Sequence, residues 1–168
     1  MSLFKRIHHL FAKHEPPRVE PGILTVGPGD VVEVSLVTYQ VTGRTRNVGR
    51  NAVMLTLQDG HQIRYLHIEE REQVVYQLYS AIDGRLDSVD AVPTTIEMDG
   101  VAYHLEEHYT GHVTAQGKTP FPSSGEQHIW QFQSDQRHLL RIEWQDGRFM
   151  LYEGEFVLPA DVQVLRGT

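Results

Sequence analysis

An all-β fold is what this sequence predicts: two similar β lobes, in barrel or sandwich form, preceded by a short N-terminal amphipathic helix. Three observations predict it. Past residue 30, apolar residues recur at every second position in short runs, the period of a pleated strand. Asp59-Gly60, Asp99-Gly100 and Asp146-Gly147 separate several of those runs, and Asp-Gly between alternating stretches is the strongest short-range hairpin signal. One segment ahead of them has a helical period instead.

That segment covers residues 1–15. Leu3, Phe4, Ile7, Leu10 and Phe11 form one stripe, and Lys5, Arg6 and Lys13 lie beside it. Ser2 can cap the helix, and Glu15-Pro16-Pro17 ends it, because proline disfavours helix in the residue before it. A proline-rich linker follows over 16–24, with Pro16, Pro17, Pro21 and Gly22. The stripe and its basic flank are candidates for contact with a protein partner or an anionic membrane surface.

The β domain then occupies residues 25–168. Val32, Val34 and Leu36 alternate with Glu33 and Ser35. Val37, Tyr39 and Val41 follow in the other parity, which places a bulge or turn near Leu36. Ala52 to Gln58, the run through Ile63, Tyr65 and His67, and Val74 to Ile82 complete a first lobe over 25–92. Thr95 to Met98, the run through Val101, Tyr103 and Leu105, Ile129 to Phe132, Leu139 to Trp144, Phe149 to Leu151, Phe156 to Leu158 and Val162 to Leu165 make a second over 93–168. The lobes read as an internal duplication. Leu55 to Glu70 aligns with Leu140 to Glu155, and Tyr39-Gln40-Val41 with Tyr103-His104-Leu105, with an insertion in the second copy around Lys118 to Gly125.

Bulk composition limits the function classes. Of 168 residues, 40% are hydrophobic and 22% charged, enough apolar material for a core. The net charge of −7 weighs against nucleic acid, which needs a basic face. The basic residues Lys5, Arg6, Lys13 and Arg18 oppose only Glu15 at the head of an acidic chain, so the head is expected to have its own role. With no cysteine, disulfides and thiolate zinc sites are excluded. No apolar run reaches the roughly 20 residues of a membrane span, and His8-His9 interrupts any secretory core. The expected location is cytoplasmic, peripheral on the inner membrane face if the first helix binds lipid.

The motifs that could carry chemistry are few. His104-Leu105-Glu106-Glu107-His108 fits the H-x-x-E-H pattern of an inverted zinc protease. That chemistry needs a helix, whereas in a strand the two histidines stand about 13 Å apart. His104, His108 and His112, joined by His128 or His138, are weak metal candidates across strands. Carboxylates cluster at Glu69-Glu70-Arg71-Glu72 and at Asp83, Asp87 and Asp90; they read as solvated turns. Arg44, Arg46 and Arg50 read as a solvated hairpin rather than an RNA contact. Gly27-Pro28-Gly29-Asp30 reads as a turn. No catalytic residue and no cofactor is indicated.

The segments GPGDVVEV (27–34), TYQVTG (38–43), IRYLHIEE (63–70), DGVAYHLEE (99–107) and LLRIEWQDGRFMLYEGEFV (139–157) stand in an order that resembles the bacterial domain-of-unknown-function family 4178. The resemblance implies a β-rich bacterial protein without an assigned activity, and a setting near phage-shock-type membrane-stress proteins.

Two functional expectations stand. One is a non-enzymatic binding or adaptor module that presents a β surface to a protein partner, with the first helix recruiting it to the membrane. The other is a β-barrel that binds a metal or small ligand with its histidine-rich second half. The sequence sets no oligomeric state.

Overall fold

The computed structural model describes residues 22–165. The expected helix at 1–15, its stripe from Leu3 to Phe11, Lys5, Arg6 and Lys13 lie outside them, as does most of the linker. Eleven strands run β1 (Val31–Val34), β2 (Val37–Asn47), β3 (Ala52–Asp59), β4 (Gln62–Glu70), β5 (Val74–Ile82), β6 (Thr95–Met98), β7 (Val101–Gly117), β8 (Gly125–Gln133), β9 (His138–Gln145), β10 (Arg148–Val157) and β11 (Val162–Leu165). Among the described residues no helix is long and apolar enough to cross a membrane.

All pairings are antiparallel, in the order β11-β1-β2-β3-β4-β5-β10-β9-β8-β7-β6, and β2 also pairs with β7. That last pairing closes eight strands, β2-β3-β4-β5-β10-β9-β8-β7, into a barrel. β1, β11 and β6 are the extra strands. β2 and β7 each serve two partners along their length. Residues 37–40 of β2 pair with β1 and residues 43–47 with β7. The change comes at a bulge between Val41 and Gly43, and β7 has one at the corresponding place, between Leu105 and Glu107. A bulge bends its strand and raises its twist, which lets one strand leave a cover layer and enter the barrel wall.

The pathway of β1–β5 is repeated by β6–β10, with β5 and β10 crossing at Ser80 opposite Glu153. The equivalence differs from the sequence alignment by one strand. β3–β4 corresponds to β8–β9, not to β9–β10, because Asp-Gly turns recur in different hairpins of the two halves. Tyr39 and Tyr103 do correspond. The residues by which the second half is longer lie in the end of β7 and in the loop 118–124.

Apolar residues sit mainly outside the barrel wall. Val53, Leu55, Leu57, Leu66, Ile68, Tyr76 and Leu78 face away from the barrel axis and are covered by Val32, Val34, Tyr39, Val41, Leu24 and Val26. Trp130, Phe132, Leu140, Ile142 and Leu151 are covered in the same way by Tyr103 and the segment from Ile82 to Val101. Burying these faces supplies the hydrophobic term that holds each cover on its wall. A smaller group, Met54, Tyr79, Leu139 and Tyr152, lies inside the barrel.

One end of the barrel is closed by the loop 118–124. The buried Gln145 amide donates to the Ser123 carbonyl at 2.7 Å and accepts from Gln127 at 3.2 Å. Phe121 is buried beneath the guanidinium of Arg148. At the β2 bulge a side chain on Gly43 would stand 1.8 Å from the Lys118 carbonyl oxygen, so backbone meets backbone there and only glycine fits.

Candidate functional site

Strand alternation sends every second residue into the barrel, and in this chain much of the inward set is polar. Asn47, Thr56, His67, Glu69, Gln127, Arg141, Glu143 and Gln145 are all buried. Arg141 and Glu143 stand two apart on β9 and so share the inner face. Their Nε–Oε2 distance is 2.8 Å with both side chains 5% exposed. The Tyr152 hydroxyl donates to the other Glu143 oxygen at 3.1 Å. Tyr79 places its hydroxyl 3.0 Å from Gln77 Oε1 and 3.2 Å from Gln131 Oε1. Buried charges are tolerated only when paired and hydrogen-bonded, and this network meets that need from four strands.

Electrostatics follow from that burial. Desolvation alone would lower the Arg141 pKa, but Tyr109, Glu143 and Tyr79 hold it above its ordinary value. Burial first, then Arg141, Arg50 and Arg71, push His67 well below 6.5, so it is neutral at neutral pH. Burial likewise raises the hydroxyls of Tyr79 and Tyr152.

The barrel end opposite the loop 118–124 is open. It holds a cavity of about 560 Å³, lined among others by His67, Gln77, Tyr109, Gln131 and Arg141. Arg141 forms its floor. Its Nε is taken by Glu143, and Nη1 makes only long contacts, 3.4 Å to the Tyr109 hydroxyl and 3.5 Å to Gln131. Nη2 donates to no described residue. At the rim, Arg50 grips Glu107 with both Nη atoms (2.5 and 2.8 Å), reaches Glu69 at 3.1 Å and lies 3.9 Å over the Tyr109 ring. Arg71 contacts Glu69 and stands 3.6 Å from Glu107. The Arg50 hydrogen bond is the main reason the Glu107 carboxyl titrates low.

Glu106 also lines this mouth. In a regular strand neighbours point to opposite sides; at the β7 bulge both Glu106 and Glu107 line the opening. Glu107 is spent on Arg50. Glu106 is exposed and makes no ion pair with a described residue.

The sequence candidates fall elsewhere. His104-Leu105-Glu106-Glu107-His108 lies inside the strand β7, which removes the helical geometry a zinc protease needs. His104 contacts Thr95 at 3.5 Å, and His112 sits opposite Glu126. The His108 ring stacks on Trp130 at 4.6 Å on the outer face of the barrel, and His128 meets Trp144 edge-on at 5.3 Å. Among the described residues no three His, Cys, Asp or Glu side chains are grouped to hold a metal. Two expectations need correction. Glu69 is not a solvated turn carboxylate; it is 4% exposed inside the barrel. Arg44 and Arg50 are not a solvated hairpin either: Arg44 donates to the Leu24 carbonyl and Arg50 organises the mouth.

The family described as domain of unknown function (DUF4178) matches residues 27–159, most of the chain, and the chain belongs to it. No curated protein and no solved structure matches.

Proposed function

We propose that this member of the DUF4178 family is a binding module, and that the open barrel mouth is the seat of a small polar ligand. The carrying observation is Arg141: a side chain 5% exposed, at the floor of an open cavity, with one nitrogen unclaimed by any described residue. A pocket with convergent polar groups and perturbed titration is the expected form of a ligand site. The surrounding glutamines offer both donors and acceptors, and the rim ion pairs hold their strands in place without filling the cavity. No nucleophile stands beside an activating base in this mouth, which favours binding over catalysis. An NMR screen of small anions, cations, zwitterions and neutral polar molecules tests the reading. Ligands are expected to shift the amides of residues 67–71, 106–109 and 131–133. Shifts confined to the outer faces, or none from any class, would overturn it.

The basic, amphipathic residues 1–15 support a further part of the proposal, recruitment of the module to an anionic membrane. Flotation with liposomes, with and without those residues, tests it: loss of flotation on truncation is expected, and equal flotation of both forms refutes it.

A further inference from the structure

At each end of the mouth stands a charged group with an atom unpaired among the described residues, and the two are opposite in sign. At the floor, Arg141 keeps Nη2 without an acceptor among the described residues, while its Nε is held by Glu143. At the rim, Glu106 lines the opening at the bulge and has no cationic partner among the described residues. Every other charge is engaged: Glu69 and Glu107 by Arg50 and Arg71, and Glu143 by Arg141 and Tyr152. A simple anion would answer the floor but add negative charge beside Glu69, Glu106 and Glu107. A simple cation would answer Glu106 and leave the buried guanidinium unfilled.

We infer that the ligand class of this mouth is a small zwitterion, its carboxylate inward on Arg141 and its ammonium outward at Glu106. The inference rests on the reading of the mouth as a ligand seat. A planar carboxylate suits the Nη edge of a guanidinium held rigid through Nε. Tyr109 and Gln131, now at the limit of hydrogen bonding to Nη1, can turn to the incoming carboxylate. Gln77 and Gln133 line the walls and can contact the chain between the two charges. Arg141, buried and held charged, cannot shed its proton to escape the mismatch.

The test uses a ladder of charge spacings: glycine, 3-aminopropanoate, 4-aminobutanoate and 6-aminohexanoate. Each is compared with the carboxylate and the alkylammonium of the same length. The readouts are the Arg141 Nε–H resonance and the amides of Glu106 and Glu107. One member of the ladder is expected to bind about fivefold or more tighter than either control, the size of a well-placed exposed ion pair. Glu106→Gln is expected to erase that margin without weakening the carboxylate control. The Glu106 side chain is exposed, so this variant keeps the fold. Arg141→Met should abolish binding of every carboxylate in whatever fraction folds. If each carboxylate equals its amino acid at every length, the zwitterion assignment fails while the mouth remains a ligand seat. If nothing on the ladder moves the Arg141 resonance but another class of molecule does, this inference alone fails. If no molecule of any class moves it, both fail.

Discussion

Arg141 sets the energetics of the barrel at the scale of single residues. Removing one partner of a buried pair leaves an uncompensated charge, at about 3–5 kcal/mol. Arg141→Met is therefore expected to lower the unfolding free energy from urea titration by that order, because Glu143 would keep only Tyr152. Adding Glu143→Leu should recover most of the loss, since a matched apolar pair costs little. A double variant no better than the single would contradict the account. His67 makes a second residue-scale prediction. Its folded pKa lies well below the unfolded 6.5, through burial and then Arg141, Arg50 and Arg71. The unfolded chain thus binds a proton first as pH falls. The His67 contribution is complete above pH 6.5 and is lost progressively below it. Unfolding between pH 7.5 and 5 should show this slope, and His67→Asn should flatten it. Neither residue stood out in the sequence. Arg141 and Glu143 alternate with Leu140 and Ile142 as any solvent-facing pair would. Period two reports that a strand has two faces, not whether the polar face meets water or the inside of a barrel.

Turns and bulges decide the outcome at the scale of elements. Asp99-Gly100 and Asp146-Gly147 have positive φ at both residues (49° and 77°, 49° and 82°), as their sequence promised. In the first hairpin the turn is Gly60-His61, one residue later than Asp59-Gly60, since Asp59 pairs with Gln62. The break near Leu36 is a turn of the same kind built from poor material. Ser35 and Leu36 hold φ of 49° and 70°, and Leu36 is 91% exposed. A left-handed leucine costs about 1–2 kcal/mol, so Leu36→Gly is expected to raise stability by about 1 kcal/mol in thermal or urea unfolding. No change would mean that the turn is not strained. Gly43→Ala should do the reverse. Its Cβ would meet the Lys118 carbonyl, and the expected loss is about 3 kcal/mol, with faster hydrogen exchange along β2 and β7. These bulges were invisible locally. Thr42-Gly43 and Glu106-Glu107 share no residue type, and what makes them equivalent is pairing with strands far along the chain.

Two half-structures close on each other at the scale of the whole molecule. Each half keeps most of its apolar material on an outer face under its own cover, and the shared interior holds polar side chains beside a smaller apolar group around Tyr79 and Tyr152. The β-strand content and the turns at Asp99-Gly100 and Asp146-Gly147 were legible, because they follow from short-range pattern and hairpin chemistry; the sequence alignment of the halves was one strand out of step. Closure and the site were not. Both depend on β2 meeting β7 and on β5 meeting β10, contacts between halves that leave no periodic trace. The histidines drew attention by number, yet His104, His108 and His112 stand on the outward or exposed side of β7, away from the cavity. The loop 118–124, which read only as an insertion, covers one barrel end, and the cavity opens at the other.

The central claim is that this mouth opens a polar chamber to solution while the opposite end is shut. The chain has no cysteine, so a single introduced thiol reports one position. Gln131→Cys lies in the mouth, and Tyr79 keeps Gln77 as its partner there. Gln145→Cys lies at the sealed end, where the native side chain is 1% exposed. In the folded protein, a small methanethiosulfonate reagent should modify Cys at position 131 on the order of a hundredfold faster than at 145, since a sealed thiol reacts only through opening of the structure. Equal rates at the two positions would contradict the account.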